Sequence, residues 1–279
     1  MTNGNTLLRR LAKRLLAPVR KTPIYSQIQA WSMARDITSG RFTEPEIKLL
    51  TDAVKPGDTA LDIGANFGLY SYHLSLLTGP DGKVIAFEPI PFTSAALKRV
   101  IRKLNLRNVE IHAVGVGEKQ GTLTFTVPLQ QSGQLMAGQA FFSLRNDNHG
   151  NIQEQVRWEK TTQIHCPVVV IDEELKNLNS LSFIKIDIEG AEVFAFRGAR
   201  GLIEKFHPTI LIEINPWFLD GFNLKMEDLT GPFRALGYKI YHFDSSRNKL
   251  DHVIDESTIV ESNYLFIHPD YNNRFQKYF

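Results

Sequence analysis

From Thr59 onward, apolar runs of five or six residues alternate with longer amphipathic stretches, and this rhythm restricts the fold more than any other feature of the chain. Thr59–Ile63, Lys83–Glu88 and Val109–Val114 read as strands. Leu69–Leu77, ended by Gly79-Pro80-Asp81-Gly82, and the basic Pro91–Leu104 read as the helices between them. Phe183–Asp187 and Thr209–Ile214 are later strands around a helix over 191–205. A helix near 225–236 then leads to Tyr238–Phe243 and Tyr264–His268. Short strands that are apolar throughout, separated by helices, predict an α/β fold with a mostly parallel sheet covered on both faces. Ahead of it, Thr43-Glu44-Pro45-Glu46 has the spacing of a capping box, followed by a helical stripe at Ile47, Leu50 and Val54. The stretch 121–171 breaks the rhythm. Gly121–Val127 and Pro167–Ile171 read as strands, and the aperiodic Gln/Asn/Gly-rich residues between them as an insertion at about 128–166.

The 279 residues, 43% hydrophobic, suffice for one large domain. The single cysteine, Cys166, excludes an internal disulfide and any Cys-rich zinc site. No apolar run reaches the roughly 18–20 residues of a membrane span, and no N-x-S/T acceptor occurs, so a cytoplasmic location is expected. The net charge of +2 is unevenly distributed. Residues 1–35 carry seven Lys/Arg and no Asp/Glu, against 25 basic and 30 acidic residues in the rest. A mildly acidic body argues against nucleic acid as a partner. Residues 1–42 form a basic N-terminal helical extension to a domain over 43–279. In it, Leu7, Leu8, Leu11, Leu15, Leu16 and Val19 line one side of a helix and Arg9, Arg10, Lys13, Arg14, Arg20 and Lys21 the other, with Pro18 and Pro23 to kink or stop it. Four uses are open: a helix docked on the body, a peripheral membrane contact through residues 7–21, a lid, or a transit peptide. An oligomer is also open.

The first strand runs into Asp62-Ile63-Gly64-Ala65-Asn66-Phe67-Gly68 and a helix. Ligands of open α/β sheets bind beyond the carboxyl ends of the strands, so this loop faces the expected site. Gly64 and Gly68 allow close backbone approach to a ligand. The Gly-Lys-Ser/Thr of a phosphate loop is absent, and Asn66 stands where a dinucleotide binder needs its second glycine. Asp62 repels phosphate and suits an ammonium group. Glu88, 20 residues past Gly68 at the end of the second strand, can take both hydroxyls of a ribose. Ala113 and Val114, leaving the third strand, offer small apolar surfaces for an adenine. These parts together fit S-adenosyl-L-methionine (SAM).

LDIGANFGLYS, VIAFEP, VEIHAVGVG, FIKIDIEGAE and PTILIEINP occur in an order that resembles the FkbM-type SAM-dependent methyltransferases, over about residues 45–270. The most specific piece is Lys185-Ile186-Asp187-Ile188-Glu189-Gly190-Ala191-Glu192. The resemblance implies a Rossmann-like seven-stranded sheet with its last strand antiparallel, and O-methylation of a hydroxyl on a sugar, glycan or small metabolite. It implies that Asp62 meets the methionine end of SAM, that Glu88 meets the ribose, and that Gly64, Asn66, Gly68, Ala113 and Val114 complete the cofactor site. Asp187 is the implied catalytic carboxylate, with Glu189 and Glu213 beside it. An alcohol is a poor nucleophile, and a carboxylate that accepts its proton contributes ~10²–10⁴-fold.

Glu192 either joins them or caps the next helix, and Lys185 either pairs with Asp187 or takes part in catalysis. Asp187, Glu213 and Asn215 also resemble the oxygen set of magnesium-dependent methyltransferases, but hydrogen-bonded pairing is preferred and no metal ligand is assigned. Two other functions remain open: ribose 2′-O-methylation of RNA and SAM binding without turnover. Against the first, the helix after Asp187 offers Arg197 but no early lysine. The histidines form no metal-binding spacing.

Overall fold

A helix begins where the sequence predicts one to end. In the computed structural model, which describes residues 23–128, 141–142 and 161–279, α1 (Pro23–Thr38) starts at Pro23 itself. The first helical position needs no backbone donor and suits the fixed φ of proline, so Pro23 initiates. The amphipathic run at residues 7–21 lies outside the described residues. Ala30, Ala34 and Ile37 of α1 are buried in one cluster with Leu74, Phe183 and Leu211, so this part of the predicted extension packs into the main core.

The expected capping box at Thr43–Glu46 does not form. Pro45–Leu49 is a 3₁₀ turn whose N-cap, Glu44, makes no side-chain cap bond, and Glu46 is buried. Both carboxylates turn inward toward the site described below, leaving the turn's ends to backbone bonds. The short α2 (Leu50–Ala53) follows.

The next elements match the predicted alternation closely. β1 (Thr59–Ile63), α3 (Leu69–Thr78), β2 (Lys83–Phe87), α4 (Pro91–Lys103) and β3 (Val109–His112) form two parallel β-α-β units. After β4 (Gly115–Val116), β5 (Gly121–Pro128), β6 (Phe141–Phe142) and β7 (Thr161–Val169) build a second sheet of order β4-β7-β5-β6. β5 and β7 pair antiparallel from Gly121↔Val168 to Pro128↔Thr161. The strand expected at Pro167–Ile171 therefore starts earlier and runs back into the aperiodic segment. Its polar Thr162, Gln163 and His165 hid it, because its partner strand supplies the order that its own pattern lacks. Most of the predicted insertion, 129–140 and 143–160, lies outside the described residues.

α5 (Ile171–Glu174), β8 (Phe183–Ile186), α6 (Glu192–Phe206), β9 (Thr209–Ile214), α7 (Pro216–Gly221), α8 (Met226–Ala235), β10 (Lys239–Asp244), β11 (Lys249–His252) and β12 (Ser262–Ile267) complete the chain, which ends in a 3₁₀ turn at Pro269–Tyr278. The main sheet has eight strands, in the order β11-β10-β12-β9-β8-β1-β2-β3, rather than seven. β12 is antiparallel to both neighbours, as expected of the last strand. The unpredicted eighth strand, β11, is a hairpin on the edge of β10. It buries only Leu250 and is held at its turn by Arg247, which pairs with Asp244 and Asp251. A single buried side chain leaves no apolar run to detect.

Period-two alternation gives each face its own core. Leu61, Ile63, Ile184, Ile186, Ile210 and Ile212 pack on the α6 and α8 side, where Phe196 meets Phe233 edge-on at 4.4 Å. Ala60, Phe183 and Leu211 pack on the other side, with α1 and α3. Asp62, Lys185 and Glu213 fall on that second face, one pleat nearer the carboxyl ends of their strands.

Candidate active site

The register of four strands assembles the site. Asp62 of β1 lies opposite Lys185 of β8, and Glu213 of β9 lies opposite Asn263 of β12. Asp187, just past β8, is tied to β1 by its N–H to the Ile63 carbonyl at 3.0 Å. Its carboxylate is 32% exposed and stands 3.8 Å from Lys185 Nζ, which is itself 1% exposed. A buried ammonium group is tolerated only with full compensation. Lys185 finds it by donating to Asn263 Oδ1 at 2.9 Å and by facing the Tyr70 ring at 5.2 Å. Tyr70 in turn donates its hydroxyl to Glu44 Oε2 at 2.6 Å, and Asn263 Nδ2 donates to the same oxygen at 3.2 Å. Tyr70, Glu44 and Asn263 went unnoticed in the sequence. Tyr70 stood two residues past Gly68 as a signal, but the position of Asn263 depends on the β9–β12 register.

Asp187 and Glu213 share a hydrogen bond. Burial and then the charge of Asp187 push Glu213 up to about 9, so Glu213 holds a proton at neutral pH and donates it toward Asp187. Glu189, at φ 53°, is pushed up to about 8 by burial and by Asp187. Glu192 accepts from the Gly190 N–H at 3.0 Å and serves the turn into α6, and burial raises it to about 7. Asn215 leaves the oxygen cluster, because its Oδ1 caps α7 by accepting from Trp217 N at 3.0 Å.

The glycine loop occupies the adjoining β1–α3 turn. A methyl group on Gly64 (φ +83°) would lie 1.8 Å from the Asp187 carbonyl oxygen, and one on Gly68 (φ +89°) 2.7 Å from Leu97 Cδ1. Both glycines thus admit neighbouring protein, where the sequence suggested room for a ligand. Gly64 lets the loop rest directly on the Asp187 backbone, which couples the two halves of the site. Gly64→Ala is therefore expected to lower stability by ~2–4 kcal/mol through clash and strained backbone. Denaturant unfolding measures it, and a midpoint equal to wild type would disprove the packing role.

Glu88, 5% exposed, accepts from Asn66 N and Ile90 N, both at 2.9 Å, and burial raises it to about 7. Asp62, 1% exposed, accepts from the Ser71 hydroxyl, and burial raises it to about 6. An apolar cleft lies alongside, lined by Gly64, Pro89, Val114 and Ile188 and, from the second sheet, Leu123 and Phe125. Val114 faces it as expected, whereas Ala113 is exposed and does not line it. Cys166 is buried against Ile90 and Val127, a packing residue.

Asp62, Glu88, Glu189, Glu192 and Glu213, with Glu46 also raised by burial, make an acid-tolerant native state. Unfolded carboxyls titrate near 4–4.5, so between that range and their native values the folded chain binds more protons than the unfolded one. Their contribution to stability is complete at low pH and is lost as pH rises through about 6 to 9. The cofactor-free protein is expected to melt at progressively lower temperature from pH 6 to pH 9. Glu213→Gln should flatten the upper part of that slope, and an unchanged slope would count against the shared proton.

Among the described residues, three convergent His/Cys/Asp/Glu ligands occur only at His207, His268 and Asp270, at the opposite ends of the strands. Both imidazole Nδ1 atoms face Asp270 Oδ2, at 2.9 and 3.1 Å. The two rings stack at 3.9 Å and 19°. His207 ends α6 in the left-handed conformation, away from the active site.

The loop and cleft fit SAM on their own chemistry. Asn66 Oδ1 is a buried acceptor with no partner, and Asp62 and Glu88 supply the carboxylates that an ammonium group and ribose hydroxyls require. Val114 and Ile188 supply apolar cover for a purine. An open, mostly parallel sheet with this loop at its carboxyl edge defines a nucleoside-binding α/β domain of the methyltransferase class. The FkbM methyltransferase domain matches residues 62–240, and the chain belongs to that family. SAM is the cofactor of the domain. Methyltransferase 1 of Beauveria bassiana (strain ARSEF 2860) is 26% identical over 149 residues, 51% of this chain and 59% of that protein. The crystal structure of methyltransferase FkbM from Methylobacillus flagellatus KT aligns with 93% of this chain and 59% of its own, at 18% identity and a TM-score of 0.45. Aeropyrum pernix fibrillarin with natively bound SAM covers 79% of this chain and 74% of its own, at 14% identity and a TM-score of 0.40. The chain thus spans 59% of the length of the first two. Among the described residues, no helix is long and apolar enough to cross a membrane.

Proposed function

We propose that the protein is an O-methyltransferase that acts on a hydroxyl of a sugar, glycan or small metabolite. The observation that carries this reading is the half-exposed Asp187 carboxylate, fixed beside Gly64 and backed by a protonated Glu213. When bound, SAM supplies an electrophilic methyl group. In this reading Asp62 and Asn66 hold its amino-acid end, Glu88 its ribose, and Val114 with Ile188 its purine. Asp187 orients the acceptor hydroxyl and takes its proton at Oδ. Lys185 and the Glu213 carboxyl hold the Asp187 carboxylate in place from its other sides. Glu189, protonated through neutral pH, offers a donor to the acceptor.

The acceptor class is supported by the second sheet, whose Leu123 and Phe125 border the cleft and whose strands carry the segment 128–166. That segment offers uncharged donors and acceptors at Gln130, Gln131, Gln134, Asn146, Asn148 and Asn151, and flat surfaces at Phe141, Phe142 and Trp158. Exposing purified protein and labelled SAM to a panel of glycosides, phenols, amines and carboxylic acids tests the function. Methyl ethers are the expected products, and label appearing only on nitrogen or as carboxyl esters would overturn it. Replacing Phe141, Phe142 and Trp158 together by Ala should then raise KM for the acceptor and leave SAM affinity unchanged. Unaltered acceptor kinetics would move recognition elsewhere, to the surface around Trp217 and Phe218.

A further inference from the structure

We propose that the face shared by α1 and the last turn of α4 docks the protein on an anionic phospholipid bilayer. Most large apolar side chains of the domain are buried, yet here Trp31 is 49% exposed and Ile28 37% exposed on one side of α1. They border a groove completed by Arg99, Arg102 and Lys103 of α4, and among the described residues no carboxylate lines it. The Trp31 indole meets two cations, with the Arg35 guanidinium 5.7 Å and Lys103 Nζ 6.0 Å from its ring. An amphipathic ring flanked by cations suits the headgroup layer, where the indole sits at the polar–apolar boundary and each cation meets anionic lipid.

Charge complementarity extends along the chain. The residues from 1 to 35 contain seven Lys/Arg and no Asp/Glu, and they lead directly into this face, whereas the remainder carries an excess of acid. An approaching anionic surface is therefore attracted at this face and repelled by the rest of the body. A bilayer accounts for the exposed Ile28 as well as for the cations, which a phosphate backbone alone does not.

The face is also well placed for docking without obstructing catalysis. Pro91 opens α4 three residues after Glu88, while Arg102 and Lys103 end it, about 17 Å further along the helix. The cleft thus stays open to water when the face is docked, and the inference does not depend on which acceptor is methylated.

The test is sedimentation of the full-length protein with phosphatidylcholine vesicles, with and without phosphatidylserine. Binding is expected only with phosphatidylserine. Arg102→Ala with Lys103→Ala should weaken it by about 25-fold, at roughly 5-fold per cation. Ile28→Ala with Trp31→Ala should weaken it by roughly 10-fold or more. SAM affinity, measured on the same variants, should equal that of wild type and so separates loss of docking from loss of folding. Lipid-borne bromine should quench tryptophan emission in wild type and markedly less in Trp31→Phe. Equal vesicle binding by wild type and both double variants would place all membrane affinity in residues 1–22 and overturn the proposal. Equal binding to vesicles with and without phosphatidylserine would overturn it, and so would tighter binding to single-stranded RNA that the same substitutions abolish.

Discussion

Asp187→Asn is expected to lower turnover by ~10²–10⁴-fold while SAM affinity changes by no more than a few-fold. The substitution keeps the shape of the side chain and an oxygen to accept the hydrogen bond from Glu213. It removes the carboxylate that the proposed reaction uses to take the acceptor's proton. The ties of Asp187 that build the fold are its backbone N–H to Ile63 and its carbonyl against Gly64, and neither involves the carboxylate. A catalytic loss far larger than any change in SAM affinity is therefore the specific signature. Removing the charge of Asp187 also relieves one cause of the raised Glu213, which should ionise at lower pH in the variant. Single-turnover kinetics on the acceptor identified above supply the measurement. Turnover within a few-fold of wild type would show that Asp187 is not the base and that orientation alone carries the reaction.

Glu88→Ala should weaken SAM binding by ~10²–10⁴-fold, because two hydrogen bonds to a charged carboxylate are each worth ~1.5–3 kcal/mol. Part of this loss passes through the loop, since Glu88 also anchors the N–H groups of Asn66 and Ile90. Glu88→Gln separates the parts: it keeps one acceptor oxygen for the loop and removes the charge that ribose hydroxyls would meet. Hydroxyl donors bind the ionised carboxylate, and burial holds Glu88 at about 7. Affinity for SAM in wild type should therefore rise as pH increases from 6 to 8, and this dependence should weaken in Glu88→Gln, leaving the part that Asp62 contributes near pH 6. Calorimetry across that range is decisive. Equal affinity for wild type and Glu88→Ala, or tighter binding of NAD than of SAM, would remove Glu88 from the ribose site.

The sequence by itself determined the alternation of strands and helices, and with it the carboxyl edge at which a ligand must sit. Local chemistry is sufficient for that. Thr59–Ile63 is apolar enough to be buried on both faces, and Gly64 to Gly68 must turn directly after it. The same local signals singled out Asp62 and Glu88, and the family resemblance added Asp187; all three lie at the ends of strands and so fall at one edge. Thr43–Glu46 was misjudged from an equally local rule, and the helix that opens at Pro23 was not foreseen. Proline opens a helix as readily as it ends one, and a capping pattern forms only where its carboxylate is not claimed elsewhere, as Glu46 is by Asn263 and Lys185. What only the tertiary structure decided is which distant groups share a charge. The pairing of β9 with β12 brings Asn263 beside Lys185, and the pairing of β1 with β8 sets Asp62 opposite the same lysine. The Glu213 carboxyl is raised because parallel strands 183–186 and 209–214 end side by side, which buries it beside Asp187. Burial and proximity across strands set these energies, and neither quantity is written in a one-dimensional pattern.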